Sequence, residues 1–323
     1  MPLRIVFCGT PAFALPTLRH LIAQSEFQIA SVVTQPDRPR GRGHEISISP
    51  VKQVALDAGI EVYQPESIRS EEAFDHFKRL SPDAVVIIAY GQIVPLPLIG
   101  LPRLGWINLH ASLLPRYRGA APINWAIVNG ETSTGVTTMR IDSGLDTGPT
   151  LLKHEMCIAP NETAPELSAR LADAGAALMA ETLLRLDKCE IAPMPQDNSQ
   201  ATFAPLLKRE DGRIDWSLPA RTIYNRIRGL QPWPGAFTSF RGKTCHIWGR
   251  SGSYTMKGTD FSVPSTGDNY GLGTILTRGS ETSIVCGEGT ELLLDFAQLE
   301  GRKRVTARDF VNGARIVPGE RFD

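Results

Sequence analysis

The chain has 323 residues, 42% of them hydrophobic, and its Lys plus Arg equal its Asp plus Glu at 34 each. That length suits two domains, and that apolar content excludes a disordered chain. A net charge of zero excludes a uniformly basic nucleic-acid binder, although residues 208–323 hold 17 basic against 13 acidic side chains, a mild lean toward a polyanion that the first 207 residues reverse.

Leu3–Phe7 predicts a first strand, and Gly9-Thr10-Pro11 after it reads as a turn rather than the end of a leader. A helix begins near Ala12, and Ile29–Thr34 is the second strand. The run Thr34-Gln35-Pro36-Asp37-Arg38-Pro39-Arg40-Gly41-Arg42-Gly43 then interrupts the alternation, longer than a connection between strand and helix requires. Pro50–Ala58 and Ser70–Leu80 are helical, the second with Ser70 as N-cap and an acidic first turn. Ala84–Ala89 is apolar on both faces, as a central parallel strand is. With Tyr90 it makes the longest apolar run, far short of the ~20 residues that cross a bilayer. Gly105–His110, Val136–Ile141 and Thr150–Cys157 are further strands, and Thr163–Leu186 is a long helix with Thr163 and Glu166 spaced as a capping box.

Apolar periodicity stops at Ile191–Ser199, where Pro193 and Pro195 mark a linker. Five short strands follow: Gly235–Phe240, Lys243–Trp248, Gly273–Thr277, Thr282–Cys286 and Glu291–Leu299. The expected architecture is a Rossmann-like, mostly parallel α/β domain over 1–189, a linker over 190–206, and a small OB-like β-barrel over 207–323. Trp233 and Phe237 are expected in the barrel core rather than on a base-stacking surface. The five cysteines are scattered with no Cys-x-x-Cys pair, so reduced thiols are expected, with neither a zinc site nor a disulfide framework.

Two segments could carry chemistry. On the strand Gly105–His110 alternation puts Trp106, Asn108 and His110 on one face. Two polar groups there lie where open α/β sheets keep ligand crevices, or they simply end the strand in hydrogen bonds. The loop Asp142-Ser143-Gly144-Leu145-Asp146-Thr147-Gly148 is either an Asx-turn or a second part of that site.

Asn-x-His-x-Ser-Leu-Leu-Pro-x-Tyr-Arg-Gly at 108–119, with Asp-x-Gly-x-Asp-Thr-Gly at 142–148, resembles the folate-dependent formyltransferase family. That family includes glycinamide ribonucleotide transformylase, formyltetrahydrofolate hydrolases, aminosugar formyltransferases and enzymes acting on charged tRNA. The resemblance implies that Asn108, His110 and Asp146 are catalytic and that Ser112, Leu113, Leu114 and Pro115 line the tetrahydrofolate site. Asn108 and His110 would donate to the developing oxyanion, His110 would relay protons, and Asp146 would orient its ring. No metal is implied. Gln-Pro-Asp-Arg-Pro-x-Gly-Arg-Gly resembles the loop with which tRNA-directed members grip the acceptor stem, which implies Arg42 as the main contact, with Arg38 and Arg40 as helpers. His44-Glu45 stands where the family often has basic residues. The implied reaction moves a formyl group from 10-formyltetrahydrofolate to the amino group of initiator methionyl-tRNA, in a cytoplasmic monomer. The alternatives are a sugar-amine formyltransferase, a hydrolase, or a non-catalytic tRNA binder, against which the intact Asn/His/Asp set argues. A nicotinamide enzyme fits poorly, because Gly9-Thr10-Pro11-Ala12-Phe13 lacks Gly-x-Gly-x-x-Gly.

Overall fold

A computed structural model describes residues 1–40, 45–251 and 270–323. The chain forms two compact units, Met1–Ile123 with Thr132–Ala159 and Glu166–Pro205, and Asn124–Glu131 with Pro160–Pro165 and Leu206–Asp323.

In chain order the first half runs β1 (Leu3–Gly9), α1 (Leu15–Ile22), β2 (Phe27–Val33), β3 (Arg38–Arg40), β4 (Glu45–Ser47), α2 (Pro50–Asp57), β5 (Val62–Tyr63) and α3 (Glu71–Leu80). It continues with β6 (Ala84–Ile88), α4 (Leu96–Ile99), β7 (Trp106–His110), α5 (Pro122–Val128), β8 (Ser133–Arg140), β9 (Thr150–Cys157) and α6 (Ala164–Asp187). Seven strands form one sheet in the order β5-β2-β1-β6-β7-β8-β9. The first five are parallel, and β8 runs antiparallel to both β7 and β9. The fully buried β6 sits at the centre, as its continuous apolar run predicts. Ser70 caps α3 as expected, its Oγ accepting from the Ala73 N–H at 3.2 Å. One face of the sheet packs Phe77, Leu98 and Trp106 into a core, with the Trp106 indole donating to the Leu98 carbonyl at 2.7 Å.

The strand order positions the site. The chain leaves β1 toward β2 and β5, then returns to β6 on the other side of β1. That reversal opens a crevice at the C-terminal ends of the strands, where no crossing connection fills the space. There Gln35, just after β2, donates to the Tyr90 carbonyl just after β6 at 3.0 Å. His110 ends β7 on the same edge.

The second unit adds α7 (Ala220–Gly229), β10 (Phe237–Phe240), β11 (Lys243–Ser251), β12 (Ile275–Arg278), β13 (Glu281–Val285), β14 (Glu291–Leu299), β15 (Val305–Thr306) and α8 (Ala307–Ala314). Its sheet is antiparallel in the order β10-β11-β14-β13-β12, with β15 against β14. The last residues close it: the Ser239 and Asp323 backbones exchange hydrogen bonds at 3.5 and 3.0 Å, and the Phe322 N–H donates to the Gly273 carbonyl at 3.0 Å. All five predicted barrel strands are present, Glu291–Leu299 as expected and the others displaced by one to three residues at their ends. Trp216, Phe240, Phe310 and Phe322 fill the interior. Trp233, expected inside, is instead 55% exposed. It lies in the Pro-flanked turn before β10, which carries no strand alternation to direct it inward. Phe237 is half-buried, 5.8 Å from the His246 ring. Cys8, Cys245 and Cys286 are buried free thiols, and Cys157 and Cys189 are exposed ones.

Candidate active site

β7 pairs with β6 on one side and β8 on the other, which fixes the pleat and therefore the faces of its side chains. Asn108 is half-buried, and its amide has no side-chain hydrogen bond among the described residues. His110, on the same face two residues on, is 6% exposed. Its Nε2 lies 2.9 Å from the Tyr117 carbonyl. A carbonyl only accepts, so Nε2 carries the hydrogen and Nδ1 is left facing the Asp146 carboxylate, whose Oδ2 is 3.7 Å away.

The two aspartates of the 142–148 loop divide its roles. Asp142 makes the Asx-turn, accepting from the Gly144 N–H at 3.0 Å and from the Thr147 hydroxyl at 2.8 Å. Asp146 is free of that turn. Its backbone is left-handed at φ 52°, a conformation costly for a residue with a Cβ, and its carboxylate turns back to accept the Gly119 N–H at 2.9 Å.

Ser112–Pro115 follows β7 after the single residue Ala111. The Thr137 hydroxyl on β8 donates to the Ser112 carbonyl at 2.7 Å and accepts from the Leu114 N–H at 3.2 Å. Lys153 on β9 donates to the Leu114 carbonyl at 2.5 Å. The Ser112 hydroxyl donates to the Arg116 carbonyl at 2.6 Å, so the polar atoms of Ser112 hold the loop's own shape. Ser112 and Leu114 are buried, whereas Leu113 and Pro115 are partly exposed.

Residues 191–205 do more than connect. Thr150 and Met194 exchange backbone hydrogen bonds at 2.8 Å each. Arg118 bonds to Thr202 and Ala204 through its backbone at 2.8 and 2.7 Å, and the Tyr117 N–H donates to the Thr202 hydroxyl at 2.8 Å. Gly119 has φ 118°, and a Cβ there would stand 2.6 Å from the Ala204 carbonyl, so only glycine fits between the loop and this strap. Gln196, Thr202, Thr137 and Lys153 were not singled out from sequence. A Pro-rich polar stretch without periodicity looks the same whether solvated or laid along a loop.

The Arg-rich segment starts from an anchored base. Gln64 donates to the Gln35 carbonyl at 2.9 Å and to the Asp37 carboxylate at 3.0 Å. The Lys52 ammonium also pairs with Asp37 and holds its carboxyl below the usual carboxylate range. β3 and β4 then pair as a ribbon, with Arg38 opposite Ser47 and Arg40 opposite Glu45. Arg38 is exposed, and Arg42 lies outside the described residues. Among the described residues no cluster of His, Cys, Asp and Glu could hold a metal, and no helix is long and apolar enough to cross a membrane.

The mostly parallel sheet opens a crevice at its switch point, with Asn108 and His110 on β7 and Asp146 facing His110. The chain belongs to the formyl transferase family: residues 3–183 match formyl transferase, and residues 206–315 match the formyl transferase C-terminal domain. It is 53% identical over 320 residues to the methionyl-tRNA formyltransferase of Solibacter usitatus (strain Ellin6076), covering 99% of this chain and 98% of that protein. It is 48% identical over 321 residues to the methionyl-tRNA formyltransferase of Geobacter metallireducens, covering 99% and 98%. Among solved structures it resembles WlaRD, a sugar 3N-formyl transferase crystallised with dTDP and 5-N-formyl-THF. The TM-score is 0.63 at 18% identity over 94% of this chain and 100% of that one, a likeness of fold.

Proposed function

We propose that the protein transfers the formyl group of 10-formyltetrahydrofolate to the α-amino group of initiator methionyl-tRNA, for translation initiation. The observation that carries the chemistry is the Asp146 carboxylate 3.7 Å from Nδ1 of the buried His110, on the strand that also bears Asn108. Full-length identity to two enzymes named for this acceptor supports the choice of substrate.

The residues fit a formyl donor: an amide without a side-chain partner beside a buried imidazole offers hydrogen bonds for an oxygen that gains charge. 10-Formyltetrahydrofolate supplies, when bound, an activated formyl carbon. The Asn108 amide donates to the oxygen on that carbon as the amine attacks. Because Nε2 is committed to the Tyr117 carbonyl, Nδ1 is the atom of His110 open to take the proton the amine releases and to return it to the folate nitrogen as the bond from that nitrogen to the formyl carbon breaks. Asp146 stands beside it as counter-charge, held in place by the Gly119 N–H. Ser112, Leu113, Leu114 and Pro115, fixed by Thr137 and Lys153, form the wall for the folate. No residue of this set calls for a metal.

Arg42, with Arg38 and Arg40, contacts the acceptor stem, and the start of their segment is anchored through Asp37, Lys52 and Gln64. Residues 1–189 form the catalytic domain and 190–206 the linker, while 207–323 hold tRNA through their surplus of basic side chains. The enzyme works as a cytoplasmic monomer. The deciding experiment is single-turnover transfer of labelled formyl to charged initiator tRNA, to a sugar amine, or to water. Transfer to the sugar amine or to water in preference to tRNA would overturn the proposal.

A further inference from the structure

Gln196 spends both protons of its side-chain amide on the 146–148 loop, donating to the Asp146 carbonyl at 2.8 Å and to the Gly148 carbonyl at 2.7 Å. Its Oε1 accepts from Arg118 Nε at 3.1 Å and Nη2 at 2.8 Å, which fixes which end of the amide is nitrogen. Arg118 Nη2 also donates to the Asn198 side chain at 2.8 Å. Arg118 is 4% exposed, yet among the described residues the partners of its guanidinium are these neutral amide oxygens and no carboxylate. A buried cation without a counter-ion is costly to keep, and ordinary packing does not require one. Arg118 also sits between the two residues whose backbones touch the proposed site. Tyr117 offers its carbonyl to His110, and Gly119 donates its N–H to Asp146.

We infer that Gln196, gripped by Arg118, is a positioning residue that sets Asp146 against His110, so that the buried charge and the strap serve the transfer step. This rests on the assignment of Asp146 to the reacting set. Asp146 is held in a left-handed conformation that the free loop would leave, and two bonds from one rigid amide hold the turn there. A displacement of about 1 Å in a reacting group costs on the order of 10²-fold in rate.

The test compares Gln196→Glu, Gln196→Ala, Asp146→Asn and the double variant Asp146→Asn/Gln196→Ala in full-length protein, reading kcat and KM for folate and for charged tRNA. Gln196→Glu keeps an acceptor for Arg118, now as a carboxylate, and replaces the two donated protons with an oxygen that repels the Asp146 and Gly148 carbonyls, so it remains informative if the alanine variant folds poorly. Both single Gln196 variants should lose roughly 10- to 100-fold in kcat, with KM for folate and the melting temperature of Gln196→Glu little changed. If Gln196 acts through Asp146, the double variant should be no slower than Asp146→Asn alone. Multiplying losses in the double variant, or wild-type kcat in Gln196→Glu beside an impaired Asp146→Asn, would overturn the positioning role alone. Full activity in Asp146→Asn would overturn the assignment of Asp146 and this inference with it.

Discussion

In the first unit the loop from Ala111 to Gly119 is held by hydrogen bonds donated by Thr137 and Lys153 and accepted by Asp146 and Thr202, whereas the barrel of the second is closed around packed rings. Phe322 lies 5.4 to 5.9 Å from the rings of Phe240, Trp216 and Phe310. The two kinds of support do different work. A hydrogen bond is directional and weakens steeply off its axis, so a loop built from several has little freedom of placement. Apolar contact is non-directional and scales with area, so a ring cluster stabilises closure without fixing any one atom to a fraction of an ångström. Substitutions in the first unit's polar frame should therefore change rate more than stability, and substitutions in the ring cluster should do the reverse.

The largest expected effect tests the first half of that contrast. His110→Ala and Asp146→Asn should each lower kcat about 10²–10⁴-fold, with folate affinity and thermal stability little changed, and the double variant should be scarcely worse than the poorer single. Rapid-quench formylation and thermal melts check this, and near wild-type turnover in His110→Ala would break the comparison at its base.

The next tests the second half. Phe322→Ala removes the ring at the point where the chain's end closes the barrel and should cost about 3–5 kcal/mol in denaturant unfolding. Turnover per folded molecule should stay near wild type, measured at a denaturant concentration where both proteins remain native. A loss of kcat without a loss of stability would erase the distinction between the units.

Arg42→Ala sharpens the comparison with a third kind of segment, one whose proposed partner lies outside the chain. Removing one charge-assisted contact of about 1.5–3 kcal/mol should reduce kcat/KM for charged tRNA roughly 10- to 100-fold and leave folate binding intact. Unchanged tRNA kinetics would make the segment a solvated connector.

The smallest effect is a pH dependence in the barrel. Hydrogen bonds from Arg278 hold the Glu291 carboxyl below the usual range, and the Ser283 hydroxyl adds a bond at 2.6 Å. A carboxyl whose folded pKa is depressed stabilises the fold above its unfolded pKa, near 4.3, and that contribution is lost as pH falls through the lower folded value. Arg278 is largely exposed, so Glu291→Gln should cost less than about 1 kcal/mol at neutral pH. The difference from wild type should vanish in acid, and equal stabilities at pH 7 would assign the pair no role in tying β12 to β14.

Much of the first unit was legible because its signals are local. The uninterrupted apolar run of β6 marked a strand buried on both faces, Ser70 announced the start of α3, and alternation along β7 put Asn108 and His110 on one side. The 142–148 loop was legible only as two open possibilities. In the structure Asp142 makes the Asx-turn and Asp146 faces His110, a division that the family resemblance expected and that spacing and composition leave open. Trp233 was misplaced for a related reason: an aromatic next to a strand pattern looks like core until the turn that carries it has a direction.

By itself, then, the sequence determined most of the strands and the helices α2, α3 and α6, the faces of the strand side chains, and the motif pair whose spacing marks the family. Those properties follow from backbone periodicity and from neighbours a few residues apart. Only the tertiary structure decided that residues 191–205 lie along the proposed catalytic loop, that Gln196 spans the Asp146 and Gly148 carbonyls 48 to 50 residues away, and that Arg321–Asp323 close the barrel. Such contacts join segments with no shared period, and a polar side chain's partner depends on which backbone groups the fold leaves within reach.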